Sequence, residues 1–207
     1  RRQLKRQRQS ESENSMIGSW TLVTPPTEEP VTLTEIKDHL HISSTAEDSI
    51  LTLYAQMARE AVENECWRAL LPQTWTLYLD AWPAGGVIEL PRPPLRSVTH
   101  IKYTDDAGAV HTFAASNYRV DTASEPGRVV LAPDASWPSD ALDSANAIAV
   151  TFVAGYADAS NVPGMAKAAI LLQIGEIYAN REAVIVGSTP QVAPAVQRVL
   201  NLVRVRY

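Results

Sequence analysis

The side chains of this 207-residue chain that could do chemistry are few, and their spacing favours none of the common reactions. His39 and His41 stand two apart, which on a helix sends them to different faces, so a helical two-histidine metal site is not expected. Near a helix C-terminus they would instead complement the macrodipole. His100 and His111 fall in strand-like stretches and could face each other across a hairpin, although ordinary strand positions are the simpler reading. Asp105 and Asp106 could be offered as a carboxylate pair, but adjacent acids before Ala-Gly usually form a solvated turn. Glu60 and Glu63 read onto the polar face of a helix, where charges meet water. Cys66 has no sequence-linked histidine and reads as a small buried hydrophobe. The sequence holds no nucleophile elbow, phosphate loop, dinucleotide fingerprint or paired-cysteine zinc spacing. No catalytic residue, metal or cofactor is therefore expected, and an enzyme is not.

Charge gives the one sharper signal. The net charge is −5, yet Arg1, Arg2, Lys5, Arg6 and Arg8 crowd the first eight residues. Without these five, 13 Lys and Arg face 23 Asp and Glu. The other end is basic again, with Arg198, Arg204 and Arg206 and no carboxylate side chain after Glu182. An acidic body with basic ends suits a subunit that reaches toward acidic neighbours or nucleic acid. The N-terminal arm could contact phosphates, as in a DNA-containing channel; five such contacts on duplex DNA imply a log–log salt slope of about −4.5. It lacks the interleaved aromatics of a single-strand binder, so docking on an acidic protein stays equally open. Met16 is a plausible second start, which would make residues 1–15 an extension. Hydrophobic residues form 45% of the chain, enough for a real core. No apolar run is long enough to span a bilayer, and no membrane association is expected. A lone cysteine makes cytosolic folding the default.

The elements that must position these residues are readable in outline. Residues 16–30 carry three prolines and read as an extended lead-in, so residues 1–30 form arm and lead-in together. Thr32 and Glu35 have capping-box spacing, Val31 and Ile36 staple spacing, and a short helix ends near His41. Ser44 and Glu47 offer a second capping box ahead of a longer helix. There Ile50, Leu53, Tyr54, Met57, Ala58, Ala61 and Val62 alternate with polar Gln56, Arg59, Glu60, Glu63 and Asn64. Helical core therefore occupies residues 31–73. Strand-like alternation then runs through 74–80, 87–90, 97–104, 109–113, 117–120, 127–131 and 147–153, with a hairpin expected at Asp105–Gly108 and a polar loop near 132–146. Residues 74–155 thus read as an inserted β-rich subdomain. Residues 156–207 return to helix. Pro163 opens a helix that is apolar nearly all round over 165–174, expected at the centre of a bundle. Val184, Ile185 and Val186 form an exposed-looking loop. A last helix from about Val192 carries a stripe of Val192, Val196, Val199, Leu200 and Val203. The fold class is α+β: a bundle of about four helices with an inserted antiparallel β subdomain.

The ordered stretches VTLTEIKDHLHIS, LPQTWTLYLDAWP, IELPRPPLRSVTHIKYTDDAG, NYRVDTASEPGRVVL, VTFVAGYADASNVP and IYANREAVIVG resemble the tailed-bacteriophage head–tail connector (neck adaptor) family, over roughly residues 17–205. No single stretch is specific; six in order are. The resemblance implies a structural virion protein forming a ring, usually of twelve subunits, beneath the portal protein. Such a ring extends the DNA channel and carries the head-closure (stopper) protein and the tail. It implies a location in the virion neck, with the host cytoplasm as the place of assembly. It also implies portal docking through the C-terminal portion, here Arg198, Arg204, Arg206 and Tyr207, and no catalytic residues. Candidate subunit-contact groups are Trp20, Trp82, Trp137 and Val184–Val186, each of which could equally be local core. Two alternatives remain: another neck component, such as a head-closure or tail-completion protein, or a DNA-binding protein acting through residues 1–8.

Overall fold

The structure is a computed structural model and describes residues 18–180 and Arg204. The chain divides into two compact units. One comprises the chain up to Pro25, Gln73–Pro91 and Leu95–Ala154; the other comprises Pro26–Pro72, Arg92–Pro94 and the chain from Gly155 on.

Among the described residues the first unit holds eight antiparallel strands. They are β1 (Ser19–Thr24), β2 (Gln73–Leu79), β3 (Val87–Glu89), β4 (Leu95–Thr104), β5 (Val110–Phe113), β6 (Tyr118–Asp121), β7 (Arg128–Leu131) and β8 (Ile148–Ala154). They form a five-stranded sheet in the order β1-β2-β8-β4-β5 and a three-stranded sheet in the order β3-β7-β6. Period-two alternation sets which face is buried. In the register Leu77↔Val150↔Ile101, all three side chains are buried. One step along, Thr76 opposes Thr151 and their hydroxyls meet at 3.1 Å on the other face. The expected hairpin is present: β4 and β5 pair antiparallel around the Asp105–Gly108 turn. β1 falls within the residues expected as lead-in. It is the sheet edge, exposed at all but Trp20, and carries a bulge between Leu22 and Thr24.

An aromatic cluster fills the β unit. Trp82 stacks on Trp137 at 4.7 Å and lies against Tyr103 and Phe113, while Phe113 stacks on Tyr118 and so joins the two sheets. The 132–146 loop is pinned to the β4–β5 hairpin by the Tyr103 hydroxyl donating to Asp140 and by the bridge Asp105↔Leu142.

The second unit contains three α-helices among the described residues: α1 (Leu33–Leu40), α2 (Asp48–Cys66) and α3 (Gly164–Ala179). The fourth expected helix, from about Val192, lies outside them. Thr32 and Glu35 form the full capping box, and α1 ends at His41 in the left-handed conformation. The second expected box is not made. The N-cap of α2 is Glu47, without a side-chain cap bond, and the Ser44 hydroxyl accepts from the amide of Ala46. Leu51, Ala55, Ala58, Val62 and Cys66 of α2 share one core with Ile36 of α1 and with Ala166, Ala169, Ile170 and Ile174 of α3.

Gly155, where the chain re-enters this unit, has φ of 115°, and a Cβ there would strike the Leu71 carbonyl. Gly155→Ala should therefore cost at least about 1–3 kcal/mol, the penalty for a strained backbone residue alone. Urea unfolding compared with wild type measures it.

Candidate assembly surfaces

Several of the side chains with reactive chemistry are engaged within the fold. His39 lies against Gly175, and His41 caps α1 through its backbone N–H to Asp38 and Lys37. His100 and His111 do not face each other: His100 pairs with Thr151 of β8, and His111 with Tyr103, on whose ring it stacks. Asp105 and Asp106 do not act as a pair. One Asp105 oxygen accepts from the amides of Ala107 and Ala109, and the other meets His111 Nε2 at 2.7 Å. The His111 contact, then the two amides, hold its carboxyl below the usual aspartate range. Burial pushes the Cys66 thiol up to about 11, opposite to what a nucleophile needs. Among the described residues no cluster of three or more His, Cys, Asp or Glu could hold a metal ion, and no helix is long and apolar enough to cross a membrane.

The largest departure from the sequence reading concerns Arg59 and Glu63. Both were expected on the polar face of α2; both are buried, at 4% and 6% exposure. They occupy the flank where α2 meets its neighbours in the same unit. Arg59 Nη1 donates to Glu63 at 2.9 Å, and Arg59 Nε donates to Glu29 at 2.9 Å. The second Glu63 oxygen accepts from the Leu70 amide at 2.7 Å. One turn on, Arg92 Nη1 donates to the Glu63 carbonyl and Nη2 to Asn64 Oδ1. Arg92 also lies 5.8 Å from the Trp67 ring centre, within cation–π range. Burial raises the Glu29 carboxyl, offset in part by Arg59. Desolvation would lower Arg59, but Glu63 and Glu29 outweigh it and the net shift is upward. The only sequence signal for the pair was the i, i+4 spacing of Arg59 and Glu63, which a surface pair shares.

Of the expected contact residues, most lie outside the described segment: Arg1, Arg2, Lys5, Arg6, Arg8, Val184, Ile185, Val186, Arg198, Arg206 and Tyr207. Arg204 is described, and its guanidinium stands 3.6 Å from Glu65 of α2. Trp82 and Trp137 are taken up by the aromatic cluster, and Trp20 is half-buried on β1 opposite Leu77. Some large apolar side chains face solvent, and two of them correct the sequence reading: Leu53 and Met57, expected in the apolar stripe of α2, are exposed, because the buried face is instead the one carrying Leu51, Ala55, Ala58, Val62 and Cys66. In the helical unit such exposed side chains include Leu53 and Met57 on α2 and Met165 and Leu172 on α3; in the β unit, Leu22, Val23, Val110 and Val120.

Residues 30–106 match the family of phage gp6-like head-tail connector proteins. No curated protein sequence matches the chain. Among solved structures, the chain is similar to one from the virion of a native gene transfer agent particle, with TM-score 0.72 and 26% identity, covering 91% of this chain and 96% of that one. It is similar to a chain of the neck of the empty particle, computed with C6 symmetry (TM-score 0.72, 27% identity, 91% and 97% covered). A chain of the native particle's neck, computed with C12 symmetry, matches with TM-score 0.70 and 26% identity over 91% and 97%.

Two outcomes follow from the buried groups. Glu63→Ala should destabilise the protein by about 3–5 kcal/mol, because it removes the buried partner of Arg59, leaving Glu29 and the exposed Glu60 at 3.6 Å, and orphans the Leu70 amide; urea unfolding reads the loss. Cys66 should resist iodoacetamide at pH 8 in the native protein and react promptly in denaturant, followed by intact mass.

Proposed function

We infer that this chain is a structural head–tail connector of a virion neck, and from that premise its work is mechanical. It is one copy in a homo-oligomeric ring. The observation that carries this is the fold match over nine-tenths of the chain to neck subunits, joined to the connector-family match at residues 30–106.

In finer terms, we propose a ring of twelve, seated beneath the portal protein, that extends the DNA channel and supports the head-closure protein and the tail. The twelvefold number is favoured by the symmetry with which one matched neck was computed. The proposed portal contact is the basic C-terminal portion, Arg198, Arg204, Arg206 and Tyr207. Arg1, Arg2, Lys5, Arg6 and Arg8 would meet an acidic partner or packaged DNA, and Val184–Val186 a neighbouring subunit. We propose assembly in the host cytoplasm and a non-catalytic role. Supporting that reading, the groups that might react are engaged otherwise: Cys66 is buried with a raised thiol, and Asp105 is locked into its turn. The proposed domain division keeps residues 31–73 and 156–207 as helical core around a β insertion at 74–155. A heterologous contact repeated around an axis closes such a ring, and a stable contact of this kind buries about 1,200–2,000 Å².

The test is the mass of the purified protein, alone and with portal particles, by native mass spectrometry. A ring-sized species or stoichiometric portal binding is expected. A persistent monomer that ignores portal removes the connector reading.

A further inference from the structure

Among the described residues, the second unit leaves two apolar stripes uncovered, and they face opposite ways. On α3, Leu172 is two residues from both Ile170 and Ile174, hence about 200° round the helix from each at 3.6 residues per turn. Ile170 and Ile174 are fully buried, whereas Leu172 is 39% and Met165 42% exposed. Ala168, exposed between them, completes the stripe. On α2, Leu53 stands two residues from both Leu51 and Ala55, again opposite the buried face; Leu53 is 47% and Met57 46% exposed. The buried faces of α2 and α3 belong to one shared core. The two outward stripes therefore lie on opposite sides of the helical pair.

Their composition differs. The α2 stripe is interrupted by Gln56, Glu60 and Asn64, all exposed, whereas α3 carries only Lys167 and Glu176 as charges in its sixteen residues. A helix apolar on every side is stable in water only when both of its faces are covered. Two unlike patches pointing in opposite directions are what a head-to-tail contact requires; a twofold dimer would instead use one patch twice.

We propose that the α3 stripe, Met165, Ala168 and Leu172, packs on the α2 stripe, Leu53 and Met57, of a second copy of this chain. The helical pairs then continue around the ring as alternating α2 and α3 layers. This rests on the ring reading above and names the surfaces that close it.

The experiment uses two full-length variants, Met165→Glu/Leu172→Glu and Leu53→Glu/Met57→Glu, examined by native mass spectrometry beside wild type. Each variant alone should be monomeric, and the two should share one melting midpoint, since the altered positions are outside the core and both lose the ring's stabilisation alike. Mixed in equal amounts they should form a one-to-one dimer and nothing larger, because each supplies the one intact face that the other needs. Rings from either variant alone, or a mixture that stays monomeric, overturn the inference while leaving the connector reading intact. A melting midpoint of the α3 variant well below that of the α2 variant also overturns it, by showing the α3 stripe to be covered within its own chain. A wild-type protein that forms no ring, alone or on portal, removes both.

Discussion

The helical unit is organised around the carboxylate of Glu63. One oxygen holds the Arg59 guanidinium, which in turn holds Glu29; the other holds the Leu70 amide. Its own carbonyl accepts from Arg92. Three stretches remote in sequence, the lead-in at 29, the turn after α2, and the short return at 92–94, are thereby fixed to one helical turn. Desolvating such charges costs several kcal/mol per ion, so the network does not owe its place to net stability. What it supplies is position. The segment Arg92–Pro94 has no helix or strand of its own to dictate its place, and directional bonds to the end of α2 do so instead. The Ala69 amide donating to the Pro93 carbonyl and the Gly155 amide to the Pro94 carbonyl continue the same stitching.

Local signals were legible, and signals needing a distant partner were not. The Thr32–Glu35 box, the helix end near His41, the alternation of Trp75, Leu77 and Leu79 and the Asp105–Gly108 hairpin each depend on residues a few places apart. Arg59 and Glu63 were read outward because periodicity treats every charge as water-seeking, and their partners at Glu29 and Leu70 lie thirty and seven residues away. The Ser44 box failed for a related reason. Its spacing is right, but the Ser44 hydroxyl is spent on the Ala46 amide and the helix begins later. β1 escaped notice because the strand it pairs with, β2, follows about fifty residues later, and no buried face marks it.

The aromatic residues show the same limit at the level of the site. A tryptophan in a loop can be an interface anchor or local core, and composition does not decide. Trp137 sits in the irregular 132–146 loop, yet its Nε1 donates to the Pro83 carbonyl and its ring stacks on Trp82. Both rings serve the β unit's interior, tying the loop to the strands. Of the candidate contact groups, only Arg204 and the three tryptophans lie within the described residues, so the basic ends enter the functional argument through sequence alone.

The sequence reading placed the α3 helix at the centre of a bundle because apolar residues surround it. Its inward face, however, is lined by Ala166 and Ala169 beside Ile170 and Ile174, while Met165 and Leu172 look out. Small residues at the inner contact bring α3 close to Ala55 and Ala58 of α2. Large apolar side chains on the far side then cost solubility without adding to this core. Met is also the side chain best able to fit an irregular partner surface. On the proposed ring contact, a subunit flanked by copies of itself uses both faces of the helix. On that proposal the all-round apolar pattern reflects a place within the ring wall, with one face of α3 packed on its own chain and the other on a neighbouring copy.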